Sequence, residues 1–142
     1  MADQVTFRAA TADDLDDILL FWGVAAEDAH RPADSSAALR QLLDRDPDAL
    51  RLAFDGTALV GTVVAGYDGW RCHLYRLAVH PAHRRRGIAA ALLAWANGRF
   101  VALGGNRADA MILDDNTLAQ HAWRSAGFTR QDEWARWVRP LP

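Results

Sequence analysis

The chain of 142 residues contains no lysine: all sixteen basic residues are arginine. Schiff-base chemistry on a lysine of the protein itself is therefore excluded. Glutamate is scarce as well, with Glu27 and Glu133 against sixteen aspartates, which shortens the roster of carboxylates available as a base. Cys72 is the single cysteine. One cysteine excludes an internal disulfide and a multi-cysteine zinc site, and it fits a reducing compartment. The formal net charge of -2 gives no electrostatic case for nucleic acid. No apolar stretch reaches the ~18 residues of a membrane span, and the start Met1-Ala2-Asp3-Gln4 lacks a basic signal-peptide segment. The expectation is a soluble, cytoplasmic protein, with residues 1–142 forming one domain large enough to bury a core.

What is present alternates between two periodicities. Residues 4–9 alternate as a strand, with Val5 and Phe7 on one face. Thr11 followed by Asp13 and Asp14 reads as a helix start, and Leu15, Ile18, Leu19 and Trp22 continue at helical spacing. Residues 27–36 read as a polar loop, and 36–44 as a second short helix carrying Leu39, Leu42 and Leu43. Strands are expected over 50–54 and 59–65 around the hairpin signal Asp55-Gly56, then over 71–79 after the turn Gly66-Tyr67-Asp68-Gly69. A helix follows over about 87–101, then a strand over 109–113 and a helix that Asp114-Asp115-Asn116 caps and Gly127 ends. Residues 128–130 and 134–138 read as a last pair of strands. The fold class is α/β in the α+β sense: a mixed, mostly antiparallel sheet of six to seven strands flanked by about four helices.

The stretch with the most chemistry is Arg84-Arg85-Arg86-Gly87-Ile88-Ala89-Ala90. It joins the apolar run Leu74-Tyr75-Arg76-Leu77-Ala78-Val79 and the punctuation His80-Pro81 to a helix. The first N–H groups of a helix lack intrahelical partners, and the helix dipole adds partial positive charge there. Glycine lets an anion approach the backbone. The spacing is neither G-x-G-x-x-G nor a P-loop. The loop alone is equally compatible with solvated arginines on an ordinary helix.

A second motif accompanies it: Asn116-x-x-Ala119, then Trp123-Arg124-Ser125-Ala126-Gly127-Phe128. Together with the element order, the chain resembles the GCN5-related N-acetyltransferases, the GNAT superfamily. Leu77-Ala78-Val79-His80-Pro81 running into Arg84-x-x-Gly87-x-Ala89 is similar to that family's Q/R-x-x-G-x-G/A pyrophosphate motif. Asn116-x-x-Ala119 with Trp123 to Phe128 is similar to its N-x-x-A…Y-x-x-x-G-F motif. The stretch Gly66-Tyr67-Asp68-Gly69-Trp70-Arg71 resembles a subgroup of small bacterial members. The resemblance covers nearly the whole chain.

The resemblance implies a sheet whose fourth and fifth strands splay apart, helped by a bulge in the fourth. It implies acetyl-CoA as co-substrate and an amine acceptor: a protein N-terminus, a lysine or a small-molecule amine. The pantetheine arm would pair with Leu77, Ala78 and Val79, and the N–H at or near Leu77 would face the thioester carbonyl. The N–H groups of Arg85, Arg86, Gly87, Ile88, Ala89 and Ala90 would cradle the pyrophosphate, with Arg84, Arg85 and Arg86 adding charge. Asn116 would bind pantetheine or position the thioester. The partners implied are acetyl-CoA and the amine, with no nucleic acid and no membrane, in a monomer or homodimer.

Two departures from the family's pattern bear on catalysis. The usual glutamate base on the fourth or fifth strand is missing, and the fourth strand offers His73 and Tyr75 instead. The usual tyrosine acid, four residues before the glycine of G-F, is replaced by Trp123. An indole N–H donates a hydrogen bond but does not release its proton near neutral pH. Tyr75 and Ser125 are the substitute donors; Trp123 stands among the catalytic and cofactor-binding candidates by its place in the motif, with helix packing as its plainer reading. A member that binds acetyl-CoA without efficient turnover is the alternative. His80 and His83 are spaced as H-x-x-H but have no third ligand nearby, so no metal is expected. His30, in the loop that lines the acceptor site in the family, reads either as part of that site or as a solvated loop histidine, and Glu27 and Asp28 either attract an amine there or simply end a helix.

Overall fold

The computed structural model describes residues 4–26 and 32–142. The expectations placed on Glu27, Asp28 and His30 lie outside the described residues. The chain divides into two compact units, Met1–Met111 and Ile112–Pro142, each taken by itself below.

The first unit is built on a five-stranded sheet in the order β1-β2-β3-β4-β5. The strands are β1 (Val5–Ala9), β2 (Leu50–Asp55), β3 (Ala58–Tyr67), β4 (Cys72–Val79) and β5 (Ala108–Ala110). The first four pair antiparallel, and β5 runs parallel to β4. Helices α1 (Leu15–Ala25), α2 (Ser36–Arg45) and α3 (Ile88–Ala102) cover the sheet. The acids read as a helix start form a 3-10 turn, Ala12–Asp14, ahead of α1. There the Asp14 carboxylate accepts the Thr11 backbone N–H at 2.8 Å and pairs with Arg8.

Strand β3 explains the continuous apolar run of its sequence, because it is buried on both faces. Thr62 and Val64 face α1, with Val64 in one cluster with Ile18, Trp22, Leu50 and Leu52. Gly61 faces α3, where a Cβ would stand 2.8 Å from Ile88 Cγ2. Glycine at 61 is therefore what lets α3 approach the sheet closely. Ile88, Leu92, Leu93, Ala96 and Phe100 are the buried positions along α3.

The second unit holds α4 (Thr117–Ser125) and irregular chain. The strands expected over 128–130 and 134–138 do not form, so the sheet has five strands and not six or seven. Alternation supplies only half of a strand; its backbone groups also need a ladder partner. Trp134, Trp137 and Val138 are instead exposed. The strand expected over 109–113 is likewise shorter, ending at Ala110.

Among the described residues no helix is long and apolar enough to cross a membrane.

Candidate functional site

The loop between β4 and α3 is shaped by its own backbone. His80 Nδ1 accepts the Ala82 N–H at 3.1 Å and opens a 3-10 turn over Pro81–His83. The two rings of the H-x-x-H pair stack edge to face at 5.4 Å, and among the described residues no three candidate ligands gather to hold a metal. Arg85 and Gly87 then take left-handed backbone, at φ 66 and 76. Gly87 is the N-cap of α3 and brings no side chain to cap it. The first backbone bond onto the cap is Ala91 N–H to Gly87 O at 3.0 Å. Among the described residues, the N–H groups of Ile88, Ala89 and Ala90 have no backbone acceptor. A Cβ placed on Gly87 would meet no atom within 4 Å. The helix thus presents a ring of donors to open space, the arrangement that fits a phosphate.

The three arginines divide. Arg84 and Arg85 are exposed. Arg86 is mostly buried and turns back to Asp55 at the end of β2, at 3.0 Å. His83 Nε2 lies 3.4 Å from the same carboxylate oxygen. The Arg86 guanidinium holds the Asp55 carboxyl below the usual range.

Strand β4 carries the second half of the site. Thr62 pairs with Ala78 and Val64 with Tyr75, so Arg76 and Leu77 together face the single residue Val63. That is a bulge of one extra residue. Arg76 has φ 52, an uncommon conformation for a residue with a side chain. Three contacts hold it there. The guanidinium ion-pairs with Asp34 and lies 5.0 Å above the Trp22 ring. Its carbonyl accepts the Thr62 hydroxyl at 2.8 Å. On the far edge of β4 the ladder with β5 covers only Cys72, His73 and Leu74, as splayed strands require. Leu77, Ala78 and Val79 lie past its end.

Beside the bulge, on the α1 side, is a pocket of about 270 Å³. Trp22, Leu39, Leu42 and Val64 give it apolar walls, and Asp34, Ser35, Tyr75 and Arg76 are its polar residues among those described. Tyr75 is about half exposed, and its ring centre is 6.2 Å from that of His73. His73 is held between two carboxylates, Asp109 at 2.7 Å from Nδ1 and Asp68 at 3.4 Å from Nε2. The hydrogen bond with Asp109 raises the His73 pKa above its ordinary value, against the opposing effect of burial.

On α4, Asn116 Oδ1 accepts the Ala119 N–H at 3.1 Å and caps the helix. Trp123 is buried and meets Phe128 edge to face at 4.9 Å. The Phe128 N–H returns to the Trp123 carbonyl at 3.1 Å. Ser125 is exposed at the end of the helix. The first unit therefore holds Tyr75, Leu77, Ala78, Val79 and the residues 84–90, while Asn116 caps α4 and Trp123 and Ser125 lie within it.

Sequence reasoning missed Trp22, Asp34, Thr62 and Arg76 as site residues. A charge inside the apolar run Leu74-Tyr75-Arg76-Leu77 was the available signal for Arg76. Thr62 was the lone hydroxyl in a run of aliphatic residues. Neither signal names a partner, because Trp22 and Thr62 are joined only by the fold.

Comparison with known proteins follows the same lines. A profile described as the acetyltransferase (GNAT) family matches residues 13–128. An acetyltransferase of Yersinia pestis is 31% identical over 126 residues, covering 88% of each chain. An acetyltransferase of Pectobacterium atrosepticum is 35% identical over 110 residues, 77% of each. Among solved structures, diaminobutyrate acetyltransferase from Paenibacillus lautus, in complex with L-2,4-diaminobutyric acid and coenzyme A, superposes with a TM-score of 0.71. It is 20% identical, and the match covers 87% of this chain and 75% of that one.

Proposed function

The chain belongs to the acetyltransferase (GNAT) family, a family of acetyl-CoA-dependent transferases, and from that premise we propose that residues 1–142 act as one N-acetyltransferase domain on a primary amine with an apolar body. The observation that carries the proposal is the pairing of two features on one strand–loop–helix unit. One is the bulge at Arg76 and Leu77. The other is the donor ring of Ile88, Ala89 and Ala90 above the open space at Gly87. The pyrophosphate of acetyl-CoA sits on the donor ring, with Arg84 and Arg85 adding charge. The pantetheine arm runs along Leu77, Ala78 and Val79, and on α4 the assignment of Asn116 is to pantetheine or the thioester.

The reaction needs a neutral amine, a stabilised oxyanion and a protonated thiolate. The amine nitrogen attacks the thioester carbonyl, the C–N bond forms and the C–S bond breaks. The proton lost by the amine balances the one gained by the CoA thiolate. Leu77 N–H meets the oxyanion, a role in which a single well-placed donor is worth about 3 kcal/mol. Tyr75, on the pocket wall next to the bulge, is assigned to proton transfer, with Ser125 the second candidate. Trp123 packs on Phe128 and carries no transferable proton.

The pocket beside Tyr75 supports the acceptor assignment. Its volume of about 270 Å³ falls near the lower end of small-ligand sites. Its described walls are mostly apolar, and among the described lining residues the one carboxylate, Asp34, is matched by Arg76. Such a pocket favours a compact amine with apolar surface over a polycationic one.

Trp123 at the acid position favours a second reading, an acetyl-CoA-binding module without efficient turnover. Calorimetric titration with acetyl-CoA and with CoA tests the donor site, and thiol release across an amine panel separates the two readings. Micromolar binding with thiol release supports the enzyme. Binding without release from any amine supports the module. Absence of binding removes both.

A further inference from the structure

The conformation of one peptide group decides whether the bulge presents a donor. The carbonyl of Arg76 accepts the Thr62 hydroxyl at 2.8 Å, and the Thr62 oxygen accepts the Trp22 indole N–H at 2.9 Å. Thr62 and Trp22 are both buried. The described backbone has no cis peptide bond, so the carbonyl of Arg76 and the N–H of Leu77 point in opposite directions across one planar unit. Fixing the carbonyl toward Thr62 on β3 therefore fixes the Leu77 N–H away from β3, toward the edge that the β5 ladder leaves after Leu74. Leu77 has no register partner on β3. A left-handed residue such as Arg76 is strained and persists only when its surroundings hold it.

We propose that Thr62, backed by Trp22, is a positioning residue that aims the Leu77 N–H at the thioester carbonyl of acetyl-CoA. The inference rests on the acetyltransferase reading above and adds to it a cause for the donor's direction. Thr62 touches neither substrate. Its hydroxyl is suited to the task because it donates to the carbonyl while accepting from the indole, so both buried polar neighbours are satisfied. Valine, of the same shape, would do neither.

The test compares Thr62→Val, Thr62→Ser and Trp22→Phe with the parent protein, each checked for folding by its melting curve. Two readouts are taken. The first is kcat with the best amine of the panel. The second, independent of turnover, is the ratio of calorimetric affinities for acetyl-CoA and CoA, since only acetyl-CoA carries the carbonyl. The expected result is a kcat at least ten-fold lower in Thr62→Val. CoA affinity there stays within two-fold of the parent, and any preference for acetyl-CoA is lost. Thr62→Ser should restore both readouts, and Trp22→Phe should fall between. Thr62→Val with parental kcat and parental affinity ratio would overturn the proposal. So would equal losses in Thr62→Ser and Thr62→Val, which would indicate packing. If Thr62→Val does not fold, Trp22→Phe carries the same comparison, and parental values in it decide against the relay. Failure of the parent protein to bind CoA at all would instead remove the acetyltransferase reading, and this proposal with it.

Discussion

Arg86 Nη1 lies 3.0 Å from Asp55 Oδ2, which ties the β4–α3 loop to the end of β2. One arginine of the triplet is thus spent on the fold, and two remain exposed for a ligand. Replacing Arg84 or Arg85 by alanine should leave the melting temperature unchanged and weaken CoA binding about five-fold each, the effect of roughly 1 kcal/mol for an exposed charge contact. The weakening should shrink as salt is raised. Arg86→Ala should instead lower the melting temperature, because the Asp55 carboxylate and the loop lose their shared partner. Calorimetry at two salt concentrations, beside thermal melts, checks this division. Equal effects of all three substitutions on affinity, with no change in melting, would count against it.

Gly87 is the other point at which the loop is fixed by backbone. Its φ of 76 costs a residue with a Cβ about 1–2 kcal/mol. A methyl there meets no protein atom within 4 Å, so Gly87→Ala should fold with a loss of about that size. The same methyl would stand in the space assigned to the pyrophosphate. CoA affinity should fall by more than ten-fold, beyond what the stability loss alone accounts for. Urea unfolding together with calorimetry separates the two effects. A destabilised variant that binds CoA as tightly as its parent would return the loop to a structural role.

These positions also mark how far the sequence could be read. Gly87 was legible because strand, arginines, glycine and helix stand in one contiguous stretch, and each local preference agrees with the others. Asn116 was legible as a cap for the same reason. The Thr62–Trp22 bond was not, since forty residues separate its partners and neither has a local reason to need the other. Arg76 was hidden because a left-handed residue in a strand leaves no mark when it is not glycine. The pair of strands expected over 128–138 failed in the opposite way. Its alternation was real, but a strand is a relation between two segments, and Trp134 and Trp137 found no partner.

His73 gives the protein a pH dependence whose sign can be worked out. Its partners Asp109 and Asp68 favour the charged imidazolium, and the bond with Asp109 is the larger cause of its raised pKa. Asp68 is itself held low, mainly by the backbone N–H groups of Arg71 and Trp70, so it stays ionised where His73 titrates. A group whose pKa rises on folding contributes stability that is fully present below its unfolded value, about 6.5, and is lost as pH climbs through the folded value. Burial pushes the Cys72 thiol up, so Cys72 costs stability in the same direction once pH passes its unfolded value of about 8.5, and the window for His73 closes at pH 8. Urea unfolding should therefore show a protein more stable at pH 6 than at pH 8. Asp109→Asn should flatten that difference and move the His73 ring titration, followed by NMR, back toward its ordinary value. The His73–Asp109 contact joins β4 to β5, where the ladder is only three residues long. Activity is read in the same pH series, and because Tyr75 stands beside His73, a loss of kcat in Asp109→Asn without a change in CoA affinity would extend the role of His73 from the fold to the acceptor pocket.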